Sequence, residues 1–188
     1  MKQSKRARVW LILTAVLAVV VVGALIAVPR VLKSLYPVRY DEFVEIYAKD
    51  NDLEKSFVFA VINCESSFDP RAVSHADARG LMQMLPETFE DLQARLGETL
   101  PVEDLFDPET SIRYGCYYYR YLMDQFGNDE ALAVCAYHAG IGNVKKWLAD
   151  PQYSKDGTSL DSIPFKETEK YLKRVMRAKK MYEKLYHF

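Results

Sequence analysis

Glu65 closes the apolar run FVFAVINC and is followed by two serines, Phe68 and the pair Asp69-Pro70. A carboxyl group at the end of a buried segment is costly unless it is paired or put to use. If used, it is held in its protonated form by burial and can act as a general acid near neutral pH. If merely paired, it is a helix-end Glu satisfied by an arginine or by backbone donors, and periodicity alone leaves both readings open. Cys64 beside His75 or His138 offers a second kind of chemistry, a thiol nucleophile, but apolar surroundings raise a thiol's pKa and suppress the thiolate. Asp69 could serve as a second carboxylate; next to Pro70 it reads instead as a turn residue. The histidines are scattered and no CxxC spacing occurs, so no metal and no organic cofactor is implied.

The elements that must carry Glu65 read as helical almost throughout. YDEFVEIYAKDN is followed by LEKSFVFAVINCE, with Phe57, Val61 and Cys64 on one face and Glu65 in the last turn. LPETFEDLQARLG has Pro86 at an early helical position and Gly97 at its end; DPETSIRYGCYYYRYLMDQFG repeats the device from Asp107 to Gly127. DEALAVCAYHAG, IGNVKKWLAD and a long last helix, FKETEKYLKRVMRAKKMYEKLYHF, complete the series. No alternating strand pattern and no repeat appears, so the fold class is all-α, an irregular helical domain. Within YYYRY at 117–121, most rings belong to packing, with one left to line a groove.

Ahead of this domain lies an uncharged apolar run of about 20 residues between Arg8 and Arg30, enough to cross a bilayer core of roughly 30 Å. Leu25 stands where a cleavable signal would need a small residue, which favours a retained single transmembrane helix. The division expected is 1–8 cytosolic, 9–29 membrane anchor, 30–39 a short tether broken by Pro37, and 40–188 the domain. The basic residues before the anchor put the N-terminus in the cytosol and the domain on the extracytoplasmic side of the cell membrane. After residue 33 the chain carries 19 Lys or Arg against 26 Asp or Glu, an acidic balance that argues against nucleic acid as a partner. The last helix is the exception, with eight Lys or Arg against three Glu: a solvated face, or a patch for anionic wall polymers or lipid headgroups. Three cysteines, 64, 116 and 135, read as small buried hydrophobes, with a Cys116–Cys135 bridge as the alternative.

ESSFDPRAVSHADARGLMQMLPETF resembles the signature of the soluble lytic transglycosylase family, whose fold is related to goose-type lysozymes. DPETSIRYG, AYHAGIGNVKKW and IPFKETEKYLKRV are similar to further blocks of that family, in the same order, over most of residues 40–186. The resemblance implies a lysozyme-like helical domain acting on peptidoglycan strands, the bond cleaved being that between N-acetylmuramic acid and N-acetylglucosamine. Glu65 would act first as acid and then as base, drawing the sugar's own C6 hydroxyl onto the anomeric carbon to leave a 1,6-anhydromuramoyl end. A nucleophile attached to the substrate has so high an effective concentration that no second carboxylate is needed.

By matched position, Ser74 would bond the substrate beside the acid, Gln83 would hold a sugar substituent, and the backbone of Gly80, Leu81 and Met82 would wall the groove. Tyr137 and Tyr171 would lie near Glu65. Three positions depart from the family pattern: His138 and Ser111 replace Asn, and Asp77 stands where Gly is frequent. His138 reads as a replacement donor, and Asp77 as a residue that tolerates a left-handed backbone. The departures motivate a second reading, a glycan-binding scaffold without turnover that serves a membrane assembly; lysozyme-type hydrolysis is a further alternative, marked by reducing ends in place of anhydromuramoyl ends.

Overall fold

The computed structural model describes residues 2–186 and 188, with side chains from residue 10 onward apart from 12, 15 and 187. Two compact units divide the chain, Met1–Pro37 and Val38–Phe188. The first is the helix α1, Lys2–Leu35, which runs through Pro29. Its stretch Val16–Leu35, 20 residues of mean hydropathy 2.2, is long and apolar enough to cross a membrane by length and composition. The helix thus continues over the first part of the expected tether and stops two residues ahead of Pro37.

In the second unit the helices are α2 Asp41–Asp50, α3 Lys55–Ser66, α4 Pro86–Leu96, α5 Pro108–Gln125, α6 Glu130–Ala139, α7 Ile141–Leu148 and α8 Lys166–Tyr186. A 3-10 turn, Val102–Phe106, which the sequence reading left out, precedes α5. Among the described residues there is no strand, only two isolated bridges that pair Arg79 with Val73 and with Met84. The expected all-α class and lysozyme-like irregular helical arrangement are what is found.

Helix ends follow the local chemistry. Asp107 and Asp129 cap α5 and α6, accepting from the backbone N–H of Thr110 and Leu132 at 2.9 Å each. Pro86 and Pro108 sit in first turns, and Gly97 takes the left-handed conformation that stops α4. The core forms around α3, in which every residue from Ser56 to Ile62 is buried. A helix apolar on all sides needs cover on all sides, and α8 provides most of it while also packing on α6. Lys179 ties these parts together at the edge, its ammonium 2.8 Å from Glu130 and 3.2 Å from Glu54. A second cluster of Met84, Phe89, Leu92, Leu105 and Tyr114 supports the segment between α3 and α4.

All three cysteines are free thiols, so the alternative Cys116–Cys135 bridge is not formed. Burial pushes the Cys135 thiol up to about 12 and the Cys64 thiol to about 11, which leaves neither as a nucleophile near neutral pH.

Candidate active site

α3 emerges from the core in its last turn, where residues 63–66 are half-buried, and this turn presents Glu65. The chain then reverses sharply: Ser67 and Phe68 both take left-handed conformations, at φ 51° and 65°, and the Phe68 ring is buried within 6.3 Å of Phe59. Two consecutive non-glycine residues in this region are costly, and the buried ring is what holds them there. Asp69 has the turn role expected of it, accepting from the Arg71 N–H at 2.9 Å.

Burial raises the Glu65 carboxyl from 4.5 to about 7; a hydrogen bond from Tyr171 and the charge of Arg174 oppose the shift without cancelling it. The Tyr171 hydroxyl, delivered by α8, donates to Glu65 Oε1. Behind it, the Tyr119 hydroxyl of α5 lies 3.2 Å from that of Tyr171, and both rings are buried. This Tyr119–Tyr171–Glu65 chain can carry its hydrogens in either direction. It therefore serves the carboxylate as donor and the carboxylic acid as acceptor. Glu65 takes part in no ion pair among the described residues, so it is neither locked nor neutralised by one.

Two layers orient these tyrosines. Tyr137 of α6 stacks on Tyr119 with ring centres 4.4 Å apart and planes within 2°, and its hydroxyl donates to the Met82 carbonyl at 2.6 Å. His138 stacks on Tyr171 at 4.8 Å and places Nδ1 3.0 Å from Thr168 Oγ1. Burial and the charge of Arg174 hold the His138 ring below its ordinary pKa.

The segment facing this cluster is fixed by small residues. Gly80 has φ 76°, and a Cβ there would lie 1.9 Å from the Leu105 carbonyl oxygen. Ser111 accepts from the Met82 N–H at 3.2 Å, and the Ser66 hydroxyl donates to the Leu81 carbonyl at 2.8 Å, joining the end of α3 to the same segment. Gln83 donates both amide hydrogens to main-chain carbonyls, those of Ala72 and Gly80, at 3.1 Å each. A cleft of about 290 Å³ opens here, lined among others by Gln83, Met84, Tyr118, Tyr137 and His138. Glu65 does not itself line this cleft; it is joined to it through His138 and Tyr171.

Of the residues singled out in the sequence, Glu65, Tyr137, His138 and Tyr171 are brought together, with Gln83 across the cleft. Gly80, Leu81 and Met82 stand behind Gln83, with the Leu81 and Met82 side chains wholly in the core. Ser74 caps its own turn, its Oγ accepting from the N–H groups of Ala76 at 3.2 Å and Ala78 at 3.0 Å, which leaves its hydroxyl hydrogen uncommitted. Asp77 takes the left-handed backbone anticipated, φ 62°, and pairs with Arg79 at 3.0 Å. Sequence reasoning missed Tyr119, Thr168 and Arg174. The tyrosine run was a signal for the first, and the i, i+3 spacing from Tyr171 for the other two.

Comparison with known proteins places this arrangement. The chain is 34% identical over 149 residues to the soluble lytic murein transglycosylase of Escherichia coli, matching 77% of this chain and 23% of that one. It is 30% identical over 166 residues to the membrane-bound lytic murein transglycosylase C of Haemophilus ducreyi, matching 77% and 45%. The chain thus spans less than half the length of either relative. Among solved structures, the 70 kDa soluble lytic transglycosylase of Escherichia coli superposes with a TM-score of 0.73 at 28% identity, over 81% of this chain and 25% of that one. An inactive Glu-to-Gln mutant of Slt from Pseudomonas aeruginosa gives 0.72 at 31%, over 79% and 24%. The family model of the transglycosylase SLT domain matches residues 42–159, from α2 to the loop before α8. With Glu65, Gln83 and His138 all inside that matched stretch, the chain belongs to the transglycosylase SLT domain family.

Proposed function

We propose that this protein is a membrane-anchored lytic transglycosylase that cleaves peptidoglycan strands on the extracytoplasmic side of the membrane. One observation carries the reading: a carboxyl group raised to about 7 by burial, bound to Tyr171, joined through that ring and His138 to a cleft, and outside any ion pair among the described residues. In its protonated form Glu65 gives its hydrogen to the oxygen between muramoyl and glucosaminyl residues, and the bond to the anomeric carbon breaks. The resulting carboxylate then takes the hydrogen of the muramoyl C6 hydroxyl as that oxygen closes onto the anomeric carbon, which restores the acid. The groups acting on Glu65 are a phenol and a guanidinium, and a C6 hydroxyl attached to the substrate needs no second carboxylate to hold a water. Tyr171 steadies both protonation states. Gln83, His138, Ser74 and the segment Gly80–Met82 make up the sugar-binding side. The apolar helix supplies the anchor, with the basic N-terminus inside.

The scaffold reading drew on three departures from the family pattern, and each has a partner here: Ser111 with Met82, Asp77 with Arg79, His138 with Thr168. Nothing in the site favours loss of turnover. The test is mass spectrometry of peptidoglycan digested by the whole chain in detergent. Anhydromuramoyl ends should appear and vanish with Glu65→Gln. Reducing ends in their place would assign lysozyme-type hydrolysis, and no released glycan at all would restore the scaffold.

A further inference from the structure

Arg174 lies three residues beyond Tyr171 on α8, outside the stretch matched by the family model, with its guanidinium carbon 5.5 Å from the centre of the Tyr171 ring. Three of the seven other cations of α8 are matched by carboxylates: Lys170 by Glu167, Lys173 by Glu169, Lys179 by Glu54 and Glu130. Arg174 is exposed and has no carboxylate within 4.0 Å among the described residues. Its immediate surroundings are the Cys64 sulfur, to which it can donate, the His138 and Tyr171 rings, and Glu65 itself. A permanent positive charge beside an acid that must stay protonated works against that acid. Its presence is understandable if the bound strand brings the opposite charge with it.

We propose that Arg174 forms a subsite for a carboxylate borne by the peptide substituent of the muramoyl residue, and so selects for strands that carry it. The proposal rests on the transglycosylase reading. A muramoyl residue carries its peptide on the lactyl ether at C3 of the same ring whose anomeric carbon reacts. The carboxylates of that peptide are the anions nearest the reacting atoms. A planar guanidinium over a ring offers two parallel N–H donors to such a group, a geometry an ammonium cannot reproduce. Engagement of the carboxylate would also screen the arginine from Glu65, linking recognition of the stem to retention of the catalytic proton.

The test compares two preparations of the same glycan strands, one with its peptide carboxylates free and one with them converted to carboxamides. For the whole chain in detergent, kcat/KM for anhydromuramoyl release should favour the free carboxylates by about ten-fold, the scale of one charge-assisted contact. In Arg174→Gln that ratio should fall to about one, and Arg174→Lys should recover only part of it. A ratio near one in the unaltered protein, or a ratio unchanged by Arg174→Gln, overturns the proposal. Binding of both strand preparations to Glu65→Gln, with and without Arg174→Gln, separates this from the parent reading. A carboxylate preference in binding that needs Arg174 upholds the subsite even if no anhydromuramoyl product forms, and its absence refutes the subsite even if turnover is normal.

Discussion

Tyr171 stabilises the ionised form of Glu65 by donating to it, so its hydroxyl lowers a pKa that burial alone would set higher. Tyr171→Phe should therefore move the alkaline limb of the pH–rate profile upward from about 7, and lower kcat by about ten-fold as the base half of the cycle loses its partner. A limb that moves down, or stays in place, would remove Tyr171 from the machinery. The same raised pKa has a consequence for stability. Glu65 binds its proton more tightly folded than unfolded; this contribution is complete below about 4.5 and is lost as the pH rises through about 7. Glu65→Gln does not titrate, so its melting temperature should gain on the unaltered protein near pH 8 relative to the difference near pH 5. Glu65 was legible in the sequence because it ends an apolar run, and the family resemblance turned an open choice into an acid. Tyr119 and Arg174 were not, since their closeness to Glu65 depends on how α5 and α8 lie against α3, which no local pattern encodes.

At the scale of elements, the site depends on a short irregular segment held against helices by close approaches. Gly80 cannot carry a side chain: its backbone is left-handed and a Cβ would overlap the Leu105 carbonyl of the 3-10 turn. Gly115 on α5 gives way to Met82 in the same manner, with a Cβ position 2.1 Å from its sulfur. Gly80→Ala should cost on the order of 2–4 kcal/mol in chemical denaturation, through strain and overpacking together. Activity should fall by more than the folded fraction accounts for, because the segment also carries Gln83. Helix starts and stops were legible from Pro86, Gly97, Asp107 and Pro108, whose backbone demands are local. The 3-10 turn Val102–Phe106 was not, because its buried residue Leu105 joins a tertiary cluster and leaves no periodic trace in five residues.

At the scale of the whole chain, the unit Val38–Phe188 has a core of its own, drawn from α2 through α8. A protein beginning at Val38 should melt cooperatively, match the whole chain in detergent in any cleavage of isolated strands, and be recovered in the soluble fraction; a failure to fold would show that the core is not its own. The acidic excess after residue 33 was readable by counting, as was the basic α8, three of whose eight cations are engaged in ion pairs. The apolar helix leaves Leu13, Leu17, Val20 and Leu25 more than half exposed, bare to whatever surrounds them. In plain buffer such a rod has nowhere to hide except against its own kind. Rates taken from the uncut chain without surfactant would then describe clumps, and doubling the dose of catalyst would not double the speed.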